Sequence, residues 1–434
     1  MSLVARMEQS ARILALVKLA NVGLILIWGF AVTYVFVRVL PLAEFRSFLL
    51  LVALGNFTIS AEFGVTNIIY ARLRQHWLMG RGGAAGEGGF RVEEMGVLFL
   101  FLVVIVFVAS VIVIAILALG IVGTDQPTLF LLFFLAACLN LPALLAKRSL
   151  AAVDGNFLWE LLDCGRRVLT ISLLFAILAG VDARLSIALQ LGISIAIVGW
   201  AIAQVHRRLG MSVGDWFAFR AGAAHMRAHY LRDVGASAAF TASDIIAYNA
   251  PYFTIAMATG EARPMLVFDF FFKMSRALSM LVRATVEAAL PRITRAYHAK
   301  DRARLRQLLG RALAVALFFA TGLAGAVLTF GHWLFVKLFD GRADIDRADL
   351  SLIAIALVAL ALLSVSVYVQ SALGRFTHLL HRSLPLLAGS LLSVPVAAIL
   401  WPERFDLAFL GCYAATLIGV GVLHMISLRR LVRA

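Results

Sequence analysis

Charge is scarce in this chain. Of its 434 residues only 15% are Asp, Glu, Lys or Arg, where a soluble domain usually carries about 25%. With 62% hydrophobic residues and a mean hydropathy of +0.94, the lipid bilayer is the solvent that fits. Cysteine is scarcer still. Cys138, Cys164 and Cys412 all lie in apolar stretches and none forms a CxxC pair. That excludes a disulfide framework and a thiolate metal site and leaves buried structural thiols. No His/Cys/Asp/Glu metal cluster and no Ser-His-Asp arrangement stands out, so neither a metal site nor a catalytic residue is expected. Acidic residues are also few, 24 against 39 Lys and Arg, for a net charge of +15. A basic balance invites a nucleic-acid reading, and the placement of the basic residues decides against it.

Crossing a hydrocarbon core about 30 Å thick takes ~20 largely apolar helical residues. Segments 14–38, 46–70, 95–121, 127–147, 157–179, 183–205, 233–259, 264–290, 308–336, 350–373, 383–401 and 405–428 meet that need. The fold class read from them is all-α: a polytopic membrane protein of about twelve transmembrane helices, in two six-helix lobes around a central cavity. The polar N-terminus, 1–10, precedes a first membrane helix with no small-residue cleavage site, rather than a removed signal. Basic residues crowd alternate connections, among them Arg72 to Arg91, Arg207 to Arg232, Arg292 to Arg306 and Arg429 to Arg433. The intervening connections hold few: Arg38 and Arg46, Arg184, Arg263, Lys337 to Arg347, and Arg404. This alternation places both termini in the cytoplasm and accounts for the high pI without nucleic acid.

The longer cytoplasmic connections are 71–94, 206–232 and 291–307. The division expected is an N-terminal lobe 1–206, a linker 207–232 and a C-terminal lobe 233–434. The glycines between Gly80 and Gly89 lack the Lys-Ser/Thr of a Walker phosphate loop and read as a flexible linker. Residues 291–307 read as a basic amphipathic helix drawn to anionic lipid of the inner leaflet. The longest outward connection, near 337–350, is about fifteen residues. A membrane enzyme that joins glycans outside the cell needs more, so the chain is not expected to be an enzyme.

Ionisable residues inside spans mark cavities or pairs. On the eighth span Asp269, Lys273, Arg276, Arg283 and Glu287 step by four, three, seven and four, forming one helical stripe. It lines a water-filled cavity or forms a chain of ion pairs, and the cavity reading is preferred. Ser237, Thr241, Asp244 and Tyr248 share a face of the seventh span, with Pro251 following. Asp244 is placed to pair with Lys273 or Arg276, or to serve as a protonatable coupling site. Lys18 and Asn21 share a face of the first span. Asn56, Ser60 and Asn67 share one on the second, beside Glu62. The fifth span carries Glu160, Asp163, Arg166 and Arg167, a gating or structural network drawn into the membrane because Val168 to Gly180 alone is too short to cross it.

Two stretches carry a family resemblance. Val39 to Leu73, with Leu40-Pro41 and Glu44-Phe45 before an apolar helix and Glu62-x-Gly64 ahead of Arg72, is similar to polysaccharide or O-antigen flippases. These belong to the multidrug/oligosaccharidyl-lipid/polysaccharide exporter superfamily. Arg46 stands where that family usually has Gly. Asp244 to Leu309 follows the order of the family's second lobe: an Asp in span seven, a polar span eight ending Ala289-Leu290-Pro291, then a basic linker. The resemblance implies two helical bundles with alternating access in a bacterial inner membrane. The implied substrate is a polyprenyl-diphosphate-linked oligosaccharide, moved outward for polysaccharide biosynthesis. Lys18, Lys273, Arg276 and Arg283 would bind it. Asn21, Asn56, Asp244, Tyr248, Asp269 and Glu287 would line the cavity or couple transport to an ion. Membrane lipids and a polysaccharide polymerase or export protein are the implied partners, and no cofactor is implied. The alternatives are a drug or small-solute exporter of the same superfamily, a major-facilitator transporter without its Gly-x-x-x-Asp-Arg-type loop, and a membrane glycosyltransferase or ligase.

Overall fold

The computed structural model describes residues 11–62, 65–79 and 89–433. The Gly-rich stretch at 80–88 lies outside them, as do the side chains of Asn67 and Ser237. The described residues are almost all helical, as the bilayer demands of a backbone that must satisfy its own polar groups. In order the helices are α1 (Ala11–Val39), α2 (Leu42–Ser60), α3 (Val65–Met79), α4 (Glu93–Ala118), α5 (Pro127–Cys138), α6 (Asn140–Ala152), α7 (Asn156–Leu178) and α8 (Ala183–Leu209). There follow α9 (Val213–Phe217), α10 (Phe219–Ala258), α11 (Arg263–His298), α12 (Arg302–Leu338), α13 (Arg347–Ala372), α14 (Phe376–Leu400) and α15 (Phe405–Arg433).

Nine helical segments among the described residues are long and apolar enough to cross a membrane. The remaining expected spans are α7, α10 and α11: α7 and α11 fall short because of their intramembrane charges, and α10 because Asp244 is joined by polar Thr241, Ser243, Tyr248, Asn249 and Tyr252. Two expected spans depart from one regular helix: α2 ends at Ser60 within the second, and the fourth has a one-residue interruption at Leu139, between α5 and α6. Local chemistry sets the ends. Asp182 accepts the Leu185 backbone N–H at 2.9 Å to start α8. Gly210, at φ 61°, ends it in the left-handed conformation that only glycine adopts without strain.

The chain divides into two compact units, Met1–Val39 with Leu51–Ala238, and Leu40–Leu50 with Ala239–Ala434. The short early segment belongs to the second unit for a visible reason. The Arg342 guanidinium donates to the Leu40 carbonyl at 2.7 Å. Arg46 donates to the carbonyls of Gly260 at 2.5 Å, Ala256 at 3.0 Å and Thr259. Those are the orphan acceptors at the C-terminal end of α10, and a cation there also meets the negative end of the helix dipole. Arg46 therefore has a structural task.

Residues 207–232, expected as a linker, are largely helical and dock on the first unit. His225 Nδ1 lies 2.6 Å from Glu94 Oε1, both buried. Gly96 leaves no room for a side chain, because a Cβ there would sit 2.3 Å from the Trp216 carbonyl oxygen.

Orientation in the membrane is tested by labelling. With the native cysteines replaced, a cysteine at exposed Ala303 should react only from the cytoplasmic side and one at exposed Glu403 only from outside. Labelling of both from one side would contradict the twelve-span arrangement.

Candidate functional site

In the first unit the charges of the fifth span close into a buried network. Glu160, Asp163 and Arg167 follow one another at three and four residues, which puts them on one face of α7. Asn21 on α1 is buried against that face. Its amide donates to Glu160 Oε2 at 2.7 Å and to Asp163 Oδ2 at 3.0 Å, while its carbonyl oxygen accepts from Arg167 Nε at 2.9 Å. Asp163 also binds Arg166 at 2.6 Å and Arg167 at 3.0 Å, and Lys147 on α6 lies 3.2 Å from Glu160. Asn140 joins at the break between α5 and α6, donating to the Ala137 carbonyl at 2.9 Å and accepting from Arg166 at 3.4 Å.

Two carboxylates thus meet three cations across α1, α6 and α7. Sequence spacing assigned Asn21 to the same face as Lys18, but Asn21 is buried in this network and Lys18 is exposed on α1. Lys147, counted as a loop charge, and Asn140 were missed. The signal was a polar residue at a helix break, which spacing along one helix does not connect to α7. Asn56 is half-buried on α2.

In the second unit, Pro251 organises the neighbourhood of Asp244. A proline inside α10 has no N–H to give the carbonyl four residues back. That carbonyl belongs to Ala247. It accepts instead from Ser390 Oγ on α14 at 2.5 Å and from the Tyr413 hydroxyl on α15 at 3.4 Å. The proline therefore fastens α10 to two neighbours and places Asp244 beside Tyr413. Asp244 also lies in electrostatic range of Tyr248 and Tyr368. It is half-buried, and among the described residues it makes no ion pair. The pairing with Lys273 or Arg276 allowed by the sequence is not formed.

Lys273 pairs with Asp269 on its own helix. Asp269 is buried and accepts from the Tyr252 hydroxyl at 2.8 Å. Arg283 pairs with Glu287 at 2.7 Å, both about half exposed. The Arg276 guanidinium stands 5.4 Å from the centre of the Phe272 ring, within cation–π range. The stripe on α11 thus divides. From Pro264 to Phe272 every residue is buried, while Arg276, Arg283 and Glu287 are exposed further along the same helix. Two of its three cations are neutralised locally, so the stripe is far less cationic than its residue list suggests.

An exposed Arg mid-way along a membrane helix is costly against lipid, by about 2.5–3.5 kcal/mol or more. Chemically the second unit offers the Asp244 carboxylate on α10, in electrostatic range of Tyr248, Tyr368 and Tyr413, and on α11 a row of charges in which the Arg276 guanidinium lies over the Phe272 ring.

Likeness to known proteins extends over the whole chain and lies in its fold. No family model matches it, and no curated protein matches it in sequence. Solved structures do. An outward-facing multidrug resistance MATE family transporter of the MOP superfamily superposes with a TM-score of 0.64 at 13% identity, covering 97% of this chain and 94% of the other. A mutant of the Vibrio cholerae MATE transporter VcmN gives 0.60 at 18% identity, covering 97% and 96%. A eukaryotic MATE transporter gives 0.58 at 13%, covering 96% of each chain. The chain has the fold of the MATE transporters. At these identities the likeness speaks to the fold, and it holds over nearly the full length of both partners. The first of these structures is described as a member of the MOP superfamily, and the polysaccharide branch is not among the three.

Proposed function

We propose that this chain is a MATE-fold exporter of a small amphipathic organic solute, cationic in charge, with Asp244 as its recognition carboxylate. The observation that carries this reading is Asp244 itself. It is a carboxylate in a membrane helix with no ion pair among the described residues, in electrostatic range of Tyr248, Tyr368 and Tyr413. An intramembrane acid without a partner is ready to take one, and aromatic faces attract organic cations. The fold, whose solved examples named above are transporters, supports the same class.

A second reading is the outward flipping of a polyprenyl-diphosphate-linked oligosaccharide. What favours it is the exposure of Lys18, Arg276 and Arg283, since basic groups would offset part of the cost of moving a diphosphate through hydrocarbon. The local neutralisation of Lys273 and Arg283 by Asp269 and Glu287 weakens it.

Binding to the purified full chain separates the two. Tetraphenylphosphonium should bind, and Asp244→Asn should weaken it by roughly tenfold or more, since a desolvated charge contact is worth about 2–5 kcal/mol. If a polyprenyl diphosphate binds instead, and Arg276→Ala rather than Asp244→Asn weakens it, the flippase reading replaces the proposal.

A further inference from the structure

The turn between α11 and α12 carries a concentration of charge that the transport site does not use. α11 ends at His298 and α12 begins at Arg302. Between them Lys300 takes a left-handed φ of 55°, which closes the turn tightly. Asp301 is the only acidic residue in 288–311. Its carboxylate is engaged in capping, accepting the Arg304 backbone N–H at 2.9 Å. Arg292, Arg295, Lys300, Arg302, Arg304 and Arg306 are all exposed.

This basic side is held in place from behind. Ile293 and Ala296 on α11 and Leu305 and Leu308 on α12 are buried, so the helical hairpin is fixed to the second unit with its cations outward. One turn beyond Arg311 the surface of α12 changes character: Val315, Phe318, Phe330 and Trp333 are exposed apolar side chains, Phe318 at 72%. Hydrocarbon is the medium that accommodates such a run. With 37 residues, α12 is also about 55 Å long, well beyond the ~30 Å core. Its basic first turns therefore lie at the level of lipid headgroups.

Within the turn Arg304 donates to Gln307 at 3.2 Å, and several cations of the connections of opposite expected sidedness are held by protein oxygens. There Arg46 and Arg342 are spent on backbone carbonyls. Arg263 is spent on the Asp344 carbonyl and the carboxylates of Asp346, Asp349 and Asp406. A cluster needed only to orient the chain during insertion requires no fixed, outward-turned geometry in the finished fold.

We infer that the α11–α12 turn is a binding surface for the anionic phospholipid headgroups of the leaflet it meets. Charge complementarity and continuity with the hydrocarbon-facing side of α12 select this occupant. The inference is independent of which solute is carried.

The test is competitive lipid binding to the full-length protein in detergent, read by native mass spectrometry with equimolar phosphatidylglycerol and phosphatidylcholine. The wild type should retain phosphatidylglycerol preferentially. Basic residues near an anionic surface each add to the attraction, weakened by salt screening, so the triple variant Arg302→Gln, Arg304→Gln, Arg306→Gln should lose roughly tenfold or more of that preference. The charge-keeping Lys triple should retain it. A control that removes three exposed cations from the first unit, Arg207→Gln, Arg220→Gln, Arg227→Gln, should retain it as well. If the glutamine triple does not fold, the single Arg→Gln variants carry the test in smaller steps. No preference in the wild type, or equal loss in the control, would overturn the inference and leave the cluster as an orientation signal.

Discussion

Replacing Asp163 by Ala should cost the first unit about 3–5 kcal/mol and lower the thermal midpoint of the detergent-solubilised protein by several degrees. Asp163 is 3% exposed and holds Arg166 at 2.6 Å, Arg167 at 3.0 Å and the Asn21 amide at 3.0 Å. Its removal leaves Glu160 to face three cations, and Arg166 loses its carboxylate in a buried setting. A buried guanidinium without its counter-charge is among the few single changes that destabilise by this much. Asn21→Ala should cost less, about 1–3 kcal/mol, because it removes hydrogen bonds but no charge. The check is a thermal-shift or size-exclusion stability series on matched preparations. An unchanged midpoint for Asp163→Ala would mean that the network is hydrated and that its ion pairs do not hold α1 against α7.

Asp244→Asn should behave in the opposite way. Asp244 has no ion pair among the described residues, so removing its charge strands no cation, and the folded protein should be as stable as the wild type or slightly more so. Transport of the solute should nevertheless fall at least tenfold, because the charge contact it offers a bound cation is worth about 2–5 kcal/mol. Loss of function with stability retained is the mark of a recognition residue, and it separates Asp244 from Asp163, where function and stability should fall together. Destabilisation of Asp244→Asn comparable to that of Asp163→Ala would make Asp244 a structural group and remove it from the site.

Much of this was legible in the sequence wherever the information lies along one helix. The length and apolarity of each span, the three-and-four steps of Asp269, Lys273, Arg276, Arg283 and Glu287, and the cluster on α7 all follow from the 3.6-residue period. What spacing cannot supply is the identity of the neighbouring helix. The partnership of Asn21 with Glu160 and Asp163 spans about 140 residues of sequence. Likewise the carbonyl freed by Pro251 finds Ser390 and Tyr413 on helices far along the chain.

The charge list of α11 misled for a related reason. Counted as residues it is a cationic stripe, but Asp269 and Glu287 stand one turn from Lys273 and Arg283 and neutralise them. The favourable spacing of four was visible, and its electrostatic consequence is what the side-chain geometry adds. Arg46 is the mirror case. In sequence it is one basic residue near the start of a span, and in the fold it supplies donors to the carbonyls at the end of α10.

The central claim is that the carboxylate among the tyrosines recognises a cationic solute that the protein then moves. Its most direct test is transport by the purified full chain in sealed proteoliposomes, with tetraphenylphosphonium as the probe and wild type, Asp244→Asn and Arg276→Ala compared at equal protein and confirmed fold. The account predicts movement by the wild type, at least a tenfold loss in Asp244→Asn, and a smaller change in Arg276→Ala. Absence of movement by the wild type, together with passage of a polyprenyl-diphosphate-linked oligosaccharide between leaflets that depends on Arg276 and not on Asp244, would contradict it.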